Sequence, residues 1–171
     1  MSPSVLPLDY YRRSAVELAP DMIGKVLCVG RGDNVTRHRV TETEVYFGEE
    51  DTACHARHGR TKRSWLMYET GGRAYVYHCY MFNLLTVITG PEGHPEGVLI
   101  RGVEGFDGPG RVGREFGLTL DMYGLRMCPD DGIWMEDDGT VPAYTSHPRV
   151  GIHYASEEDR ARPWRFRAVE N

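Results

Sequence analysis

The sequence predicts a mixed α/β fold: one domain over residues 1–171, built on a mainly antiparallel, curved β-sheet with flanking helices and a protruding β-hairpin. Three observations lead there. Val40–Phe47 alternates in polarity and is rich in β-branched and aromatic side chains, the pattern of a strand. Short apolar runs recur at Lys25–Val29, Leu84–Thr89 and Val98–Val103, with Gly, Pro and Asn punctuating the chain between them. Helix signals are few and brief, and no linker, repeat or low-complexity tract divides the chain.

Taken in order, residues 1–8 read as a loose arm. Asp9–Ala19 carries helix formers behind an Asp cap, and Pro20 is expected to end it. Lys25–Val29 is a short strand, and Val35–Phe47 returns antiparallel to it after a tip at Asp33-Asn34. His55–Tyr68 is polar, basic and broken by Gly59, so a loop is expected. Gly71-Gly72 then leads into Arg73–Tyr80, a strand with Tyr75 and Tyr77 on one face. Met81-Phe82-Asn83 connects it to Leu84–Thr89. The resulting hairpin has an apolar, aromatic tip, which is either put to use or packed under a neighbouring loop. Val98–Val103 reads as a buried strand with Arg101 inside it, and a buried arginine needs an acidic or phosphate partner. Gly108-Pro109-Gly110-Arg111 opens a helix to Phe116 whose first amides suit a phosphate. Asp131–Glu136, Arg149–His153 and Trp164–Val169 complete the set of strands.

Composition narrows the function. With 40% hydrophobic and 26% charged residues the chain is an ordinary globular one. No run approaches the roughly 18 apolar residues of a membrane helix. The first residues lack the basic start and apolar core of a signal peptide, so a cytoplasmic protein is expected. Cys28, Cys54, Cys79 and Cys128 are scattered and are expected as free thiols. Cys54, His55, His58 and His78 invite a zinc site, but sequence neighbours on a strand point to opposite faces, and no tetrahedral set emerges. No metal and no other cofactor is expected. The net charge of −5 argues against binding nucleic acid over the whole surface. Basic residues do gather at Arg57, Arg60, Lys62 and Arg63, and again at Arg160, Arg162, Arg165 and Arg167. Such a face on an acidic protein still suits a phosphate backbone, or is simply solvated surface.

The chemistry concentrates in Val40–His55. A period of two puts Glu42, Glu44 and Tyr46 on one face, with Val45 and Phe47 on the other. Two carboxylates and a phenol make a poor core face, so this one is solvated or lines a pocket. His55 follows nine residues after Tyr46. An acid, an aromatic plate and an imidazole this close form either an active site or a solvated strand edge.

The ordered set Val40-Thr41-Glu42-Thr43-Glu44-Val45-Tyr46 with Gly48, then His55, Gly59-x-Thr61-x-Arg63, Met67, Tyr75-Val76-Tyr77-x-x-Tyr80, Val98-Leu99-Ile100-Arg101, Gly108-Pro109-Gly110-Arg111 and Arg149-Val150-Gly151-Ile152 resembles the mammalian-type alkyladenine (3-methyladenine) DNA glycosylase family. The resemblance runs from about residue 9 to 167. It implies an enzyme that flips alkylated or deaminated purines out of double-stranded DNA, because C1′ is shielded inside the stack, and then hydrolyses the N-glycosidic bond. By position, Glu44 resembles the general base, Arg101 the arginine that holds the attacking water and the carboxylate, Tyr46 and Tyr77 the plates on the base, and His55 a third pocket wall. Tyr80 resembles the intercalating residue. The family's usual Gly after it is missing, so the tip is one residue shorter and Met81 stands beside Tyr80 as a second wedge candidate. Thr86 takes the place of an Asn that is thought to exclude guanine, which implies weaker discrimination against guanine-type bases. Arg60, Lys62, Arg63 and Arg111 are expected on the DNA.

A bifunctional glycosylase needs an amine nucleophile. The chain has only two lysines, Lys25 and Lys62, and neither falls in a pocket motif, so a monofunctional enzyme is expected. A monomer is expected as well. Three other functions compete: a damage-binding protein of the same fold that does not hydrolyse, a metal-dependent hydrolase using His55, His58 and His78, and a nucleic-acid-binding module whose tyrosines serve only as stacking platforms.

Overall fold

The computed structural model describes residues 2–170. Its axis is the 14-residue strand β3 (Asn34–Phe47). The first half of β3 pairs with β2 (Val26–Arg31) across a turn at Gly32-Asp33. Beyond β2 lie β8 (Ile133–Asp137) and then β1 (Ser4–Val5). The second half of β3 is paired on both edges, with β6 (Glu96–Val103) on one side and β10 (Arg165–Ala168) on the other. β5 (Phe82–Ile88) and β4 (Arg73–Cys79) extend the sheet past β6. β9 (Tyr144–His147) edges β10, and β7 (Phe106–Asp107) folds back on β6. All these pairings are antiparallel, as expected.

One face of the second half of β3 is core. α1 (Ala15–Asp21) lies across it, and Leu18, Ala19 and Met22 join Val45, Val98 and Ile100 in the main hydrophobic cluster. Burying a side chain such as Leu18 or Val45 contributes roughly 1.5–3 kcal/mol. Thr43 Oγ1 satisfies itself within this layer by donating to Ala19 O at 2.7 Å. α2 (Pro109–Glu115) covers the sheet at β5 and contributes Val112 to the same cluster. The opposite face, carrying Glu42, Glu44 and Tyr46, is left for the functional site. No helix among the described residues is long and apolar enough to cross a membrane.

Several local expectations are corrected. Asp9 does not cap α1: Leu8–Arg12 is a separate 3-10 turn, and Ser14 caps the helix by accepting from Val16 N–H at 3.2 Å. Pro20 sits inside the last turn, where Met22 N–H still donates to Leu18 O at 2.8 Å. Residues 1–8 are not a loose arm, because Ser4 and Val5 pair with Asp137 and Glu136 and Leu6 is buried; Met1 lies outside the described residues. The expected loop 55–68 contains two 3-10 turns, His55–His58 and Trp65–Tyr68. Arg149–His153 is not a strand; its backbone is irregular and is held by side chains. The hairpin tip is Tyr80-Met81, since Cys79 pairs directly with Phe82.

That tip is mounted firmly. Gly113 of α2 packs against Asn83, so closely that a Cβ there would overlap the Asn83 carbonyl, and a Cβ on Gly110 would meet the Phe82 ring at 2.6 Å. Asn83 Nδ2 donates to Leu118 O at 3.0 Å just beyond the helix. Only glycine at these two positions lets α2 seat against the base of the hairpin.

Candidate active site

A cavity of about 600 Å³ opens on the polar face of β3, within the size range of small-molecule sites. Four strands, two irregular segments and the start of α2 (Pro109 and Gly110) supply its walls. Tyr46 comes from β3, Tyr75 and Tyr77 from β4, Thr86 from β5 and Arg101 from β6. His55 and Arg63 come from the segment after β3, and Val150 and Ile152 from the segment after β9.

Glu44 lies one layer beneath this surface and is fully buried. Tyr46 Oη donates to its Oε1 at 2.6 Å, and Val150 N–H donates to its Oε2 at 3.0 Å. Arg101 Nη1 stands 3.7 Å from Oε2. Tyr46, Val150 and Arg101, the three groups around this carboxylate, all line the cavity. Burial pushes the Glu44 carboxyl up from its ordinary range, while Arg101, the Tyr46 hydroxyl and the Val150 amide oppose that rise. Burial also raises Tyr46 far above an ordinary phenol, with the Glu44 charge adding to it, so Tyr46 keeps its proton and remains the donor.

His55 forms a side wall. Its Nδ1 lies 3.1 Å from Tyr75 Oη and its ring stands edge-on to Tyr77 at 4.9 Å. Burial lowers its pKa to about 4, helped by Arg63 and Arg57. The imidazole is therefore neutral at physiological pH. Burial likewise holds Tyr75 and Tyr77 above the ordinary phenol range.

The structure brings Glu44, Arg101, Tyr46, His55, Tyr77 and Thr86 together at or just beneath one cavity. Tyr80 lies at its mouth and is 91% exposed; Met81 is 83% exposed but does not line it. Spacing by three predicts that Tyr77 and Tyr80 face apart. Tyr80 instead adopts φ 56°, which breaks the strand alternation and lets both tyrosines border the cavity. A left-handed residue other than glycine costs on the order of 1–2 kcal/mol, and such strain gathers at functional tips. The basic cluster divides. Arg63 lines the cavity, with its guanidinium 5.4 Å over Tyr77. Arg60 sits over Tyr68 at 4.7 Å, Lys62 is exposed in the loop and Arg111 is exposed on α2, all outside the cavity. His58 and His78 are also exposed, and no group of three or more His, Cys, Asp or Glu side chains among the described residues is placed to hold a metal ion.

The sequence gives little warning of one component. Arg149 is fully buried and bidentate to Asp51, at 2.7 and 2.9 Å. It also donates to Val45 O at 2.9 Å and lies 5.4 Å from the Tyr46 ring. Asp51 in turn accepts from Phe47 and Ala53 N–H, both at 3.0 Å. This pair ties the irregular segment to the end of β3 and so delivers the Val150 amide to Glu44. The acidic turn after Gly48 was the available signal, because one buried acid in it needed a cation.

An aromatic cavity backed by a buried carboxylate–guanidinium pair, with a basic loop and an exposed tip at its mouth, is the candidate site of a chain whose relatives make it a DNA glycosylase, a hydrolase of the N-glycosidic bond. The chain belongs to the methylpurine-DNA glycosylase family, whose sequence model matches residues 9–108 and 105–171. Among curated relatives, proteins from Methanocella arvoryzae, Psychrobacter cryohalolentis and Nitrosococcus oceani are 36%, 35% and 38% identical to it. The alignments cover 95%, 97% and 98% of this chain and 91%, 92% and 91% of theirs. All three are provisionally named 3-methyladenine DNA glycosylases. The substrate is DNA, and base flipping is the general means by which such enzymes reach their target.

Proposed function

We propose that this enzyme is a monofunctional glycosylase that takes an alkylated or deaminated purine from duplex DNA into the cavity and hydrolyses its glycosidic bond with an activated water. The range includes 3-methyladenine, hypoxanthine, ethenoadenine and 7-methylguanine. The observation that carries this reading is the buried Glu44 carboxylate beside Arg101, immediately behind the aromatic walls.

In this reading the flipped base stacks on Tyr46 and Tyr77, a contact worth roughly 1–3 kcal/mol per base. A cationic alkylated purine gains more from the π faces. Water approaches Glu44 at its Oε2 edge, between Val150 and Arg101. As its oxygen bonds to C1′, the C1′–N bond breaks and that electron pair leaves with the base, while Glu44 takes the water's proton. The carboxylate also favours the positive charge that develops on the sugar. A 3-alkylated adenine leaves as a neutral base, whereas hypoxanthine must gain a proton. His55 stays neutral and borders the base. Tyr80, with Met81 beside it, fills the gap in the duplex, and Arg60, Lys62, Arg63 and Arg111 meet phosphates. Lys25 supports the monofunctional reading: its side chain is buried 3.7 Å from Asp137, away from the cavity. One chain supplies every group named, so a monomer suffices.

Single-turnover excision on duplexes carrying each lesion, with Glu44→Gln as control, tests this. Wild type should release free base and leave an abasic site that nicks only with alkali. Glu44→Gln should bind the duplex but excise about 10²–10⁴-fold more slowly. Equal release by the two proteins, or nicking without alkali, overturns the reading.

A further inference from the structure

Glu42 does not line the cavity, yet it touches the group that faces Glu44. Its Oε2 lies 3.6 Å from Arg101 Nε and accepts from Arg165 Nη1 at 2.8 Å. Its Oε1 stands 4.0 Å from Arg167 Nη1. The carboxylate is buried, and the last strand of the fold anchors it. Arg101 is thus shared between two acids at nearly equal distances, 3.6 Å to Glu42 and 3.7 Å to Glu44. Its Nε is buried without a hydrogen-bond partner.

The backbone builds this sharing. Glu42 pairs with Gly102 and Thr43 with Ile100, so Arg101 is the extra residue of a bulge on β6. A bulge re-aims the side chain it carries. Gly102 permits the close approach, since a Cβ there would meet Thr41 Oγ1 at 3.0 Å and Glu42 Cβ at 3.2 Å.

We propose that Glu42 is a positioning residue of this active site, whose carboxylate, fixed by Arg165, holds Arg101 short of full pairing with Glu44. The proposal rests on the reading of Glu44 as the base. The two Glu44 oxygens already accept from Tyr46 and Val150. A bidentate arginine would occupy the remaining lone pairs and stabilise the anion so strongly that it became a poor base. Without any arginine, the buried carboxylate would stay protonated. Sharing Arg101 keeps Glu44 between these limits. The other charged or titratable groups that face Glu44 are Tyr46 on its own strand, Tyr77 from β4 and Arg149 from the segment after β9; Arg165 stands opposite it on β10.

The test is the pH dependence of single-turnover excision for wild type, Glu42→Gln and Arg165→Gln, with Glu44→Gln as reference. In Glu42→Gln, Arg101 goes over to Glu44, and the acid limb of the profile should move down by about half a pH unit to one unit. Its plateau should fall about tenfold, as expected for a weakened base. Arg165→Gln releases Glu42 toward Arg101, and the limb should move up. A purely structural role for Glu42 would lower the active fraction and leave both limbs in place, which overturns the proposal. Thermal melting identifies a variant that fails to fold. Should Glu42→Gln fail, Arg165→Gln decides alone, and a limb at the wild-type position refutes the idea. If Glu44→Gln excises like wild type, the base assignment itself is at fault, and that result is distinct from unmoved limbs.

Discussion

Tyr46 and Glu44 form one hydrogen-bonded unit: the phenol, one face of which borders the cavity, donates its proton to the carboxylate at 2.6 Å. The plate proposed to stack on the base thereby also steadies the group proposed to activate water. Tyr46→Phe separates these roles. The lost bond favours the ionised carboxylate, so its removal raises the Glu44 pKa, and the acid limb of excision should climb by about one pH unit. The stacking surface remains, so affinity for a lesion duplex should hold. A limb that stays put would show that the hydroxyl does not tune Glu44.

Asp51→Asn leaves the Arg149 guanidinium buried with a weakened partner. Breaking a fully buried pair typically costs about 3–5 kcal/mol, and urea denaturation should register a loss of this order. The Val150 amide should lose its aim at Glu44 as well, so excision should fall in the fraction that remains folded. A midpoint within error of wild type would mean that the pair does not anchor the segment.

His55 makes stability pH-dependent. Its folded pKa, about 4, lies below the ordinary 6.5, so the unfolded chain takes up a proton in that interval that the folded chain refuses. The contribution is fully present above pH 6.5 and is lost as pH falls toward 4. The loss is on the order of 3 kcal/mol. Denaturation midpoints measured across this window should fall less steeply for His55→Gln than for wild type; parallel slopes would refute the assignment.

Thr86 is almost wholly buried on the cavity wall, paired across the sheet with Tyr75 and Leu99. Replacing it with the longer Asn should crowd the exocyclic group of a guanine-type base. Excision of 7-methylguanine should drop about tenfold relative to 3-methyladenine, a size of discrimination that one added group can supply. An unchanged ratio of rates would show that Thr86 does not set guanine acceptance.

Much of this was legible because β3 obeys a simple period. Alternation alone placed Glu42, Glu44 and Tyr46 on one face, and the charge inside Val98–Val103 announced that Arg101 had an acidic or phosphate partner, which proves to be the two acids. Two kinds of feature escaped. Arg149–Ile152 is composed like a strand, yet its register is set by Asp51, 98 residues away, and by the Val45 carbonyl. Local pattern carries no trace of such a partner. The bulge at Arg101 escaped too, because it depends on how two strands meet and not on either strand alone. The side on which Tyr80 falls escaped for a related reason: strand periodicity fails where a single residue turns left-handed.

The contact between α2 and the hairpin has a mechanical consequence. Parting stacked base pairs takes force, and a two-stranded ribbon standing alone would bend under it. Gly110 and Gly113 let the helix lie directly against Phe82 and Asn83, with the Arg114 guanidinium 5.1 Å over the Phe82 ring. In the proposed intercalation, the reaction force at Tyr80 and Met81 would run down the ribbon into a helix seated on the core. The hairpin would then work as a braced lever, with stiffness at its root mattering as much as the residue at its end.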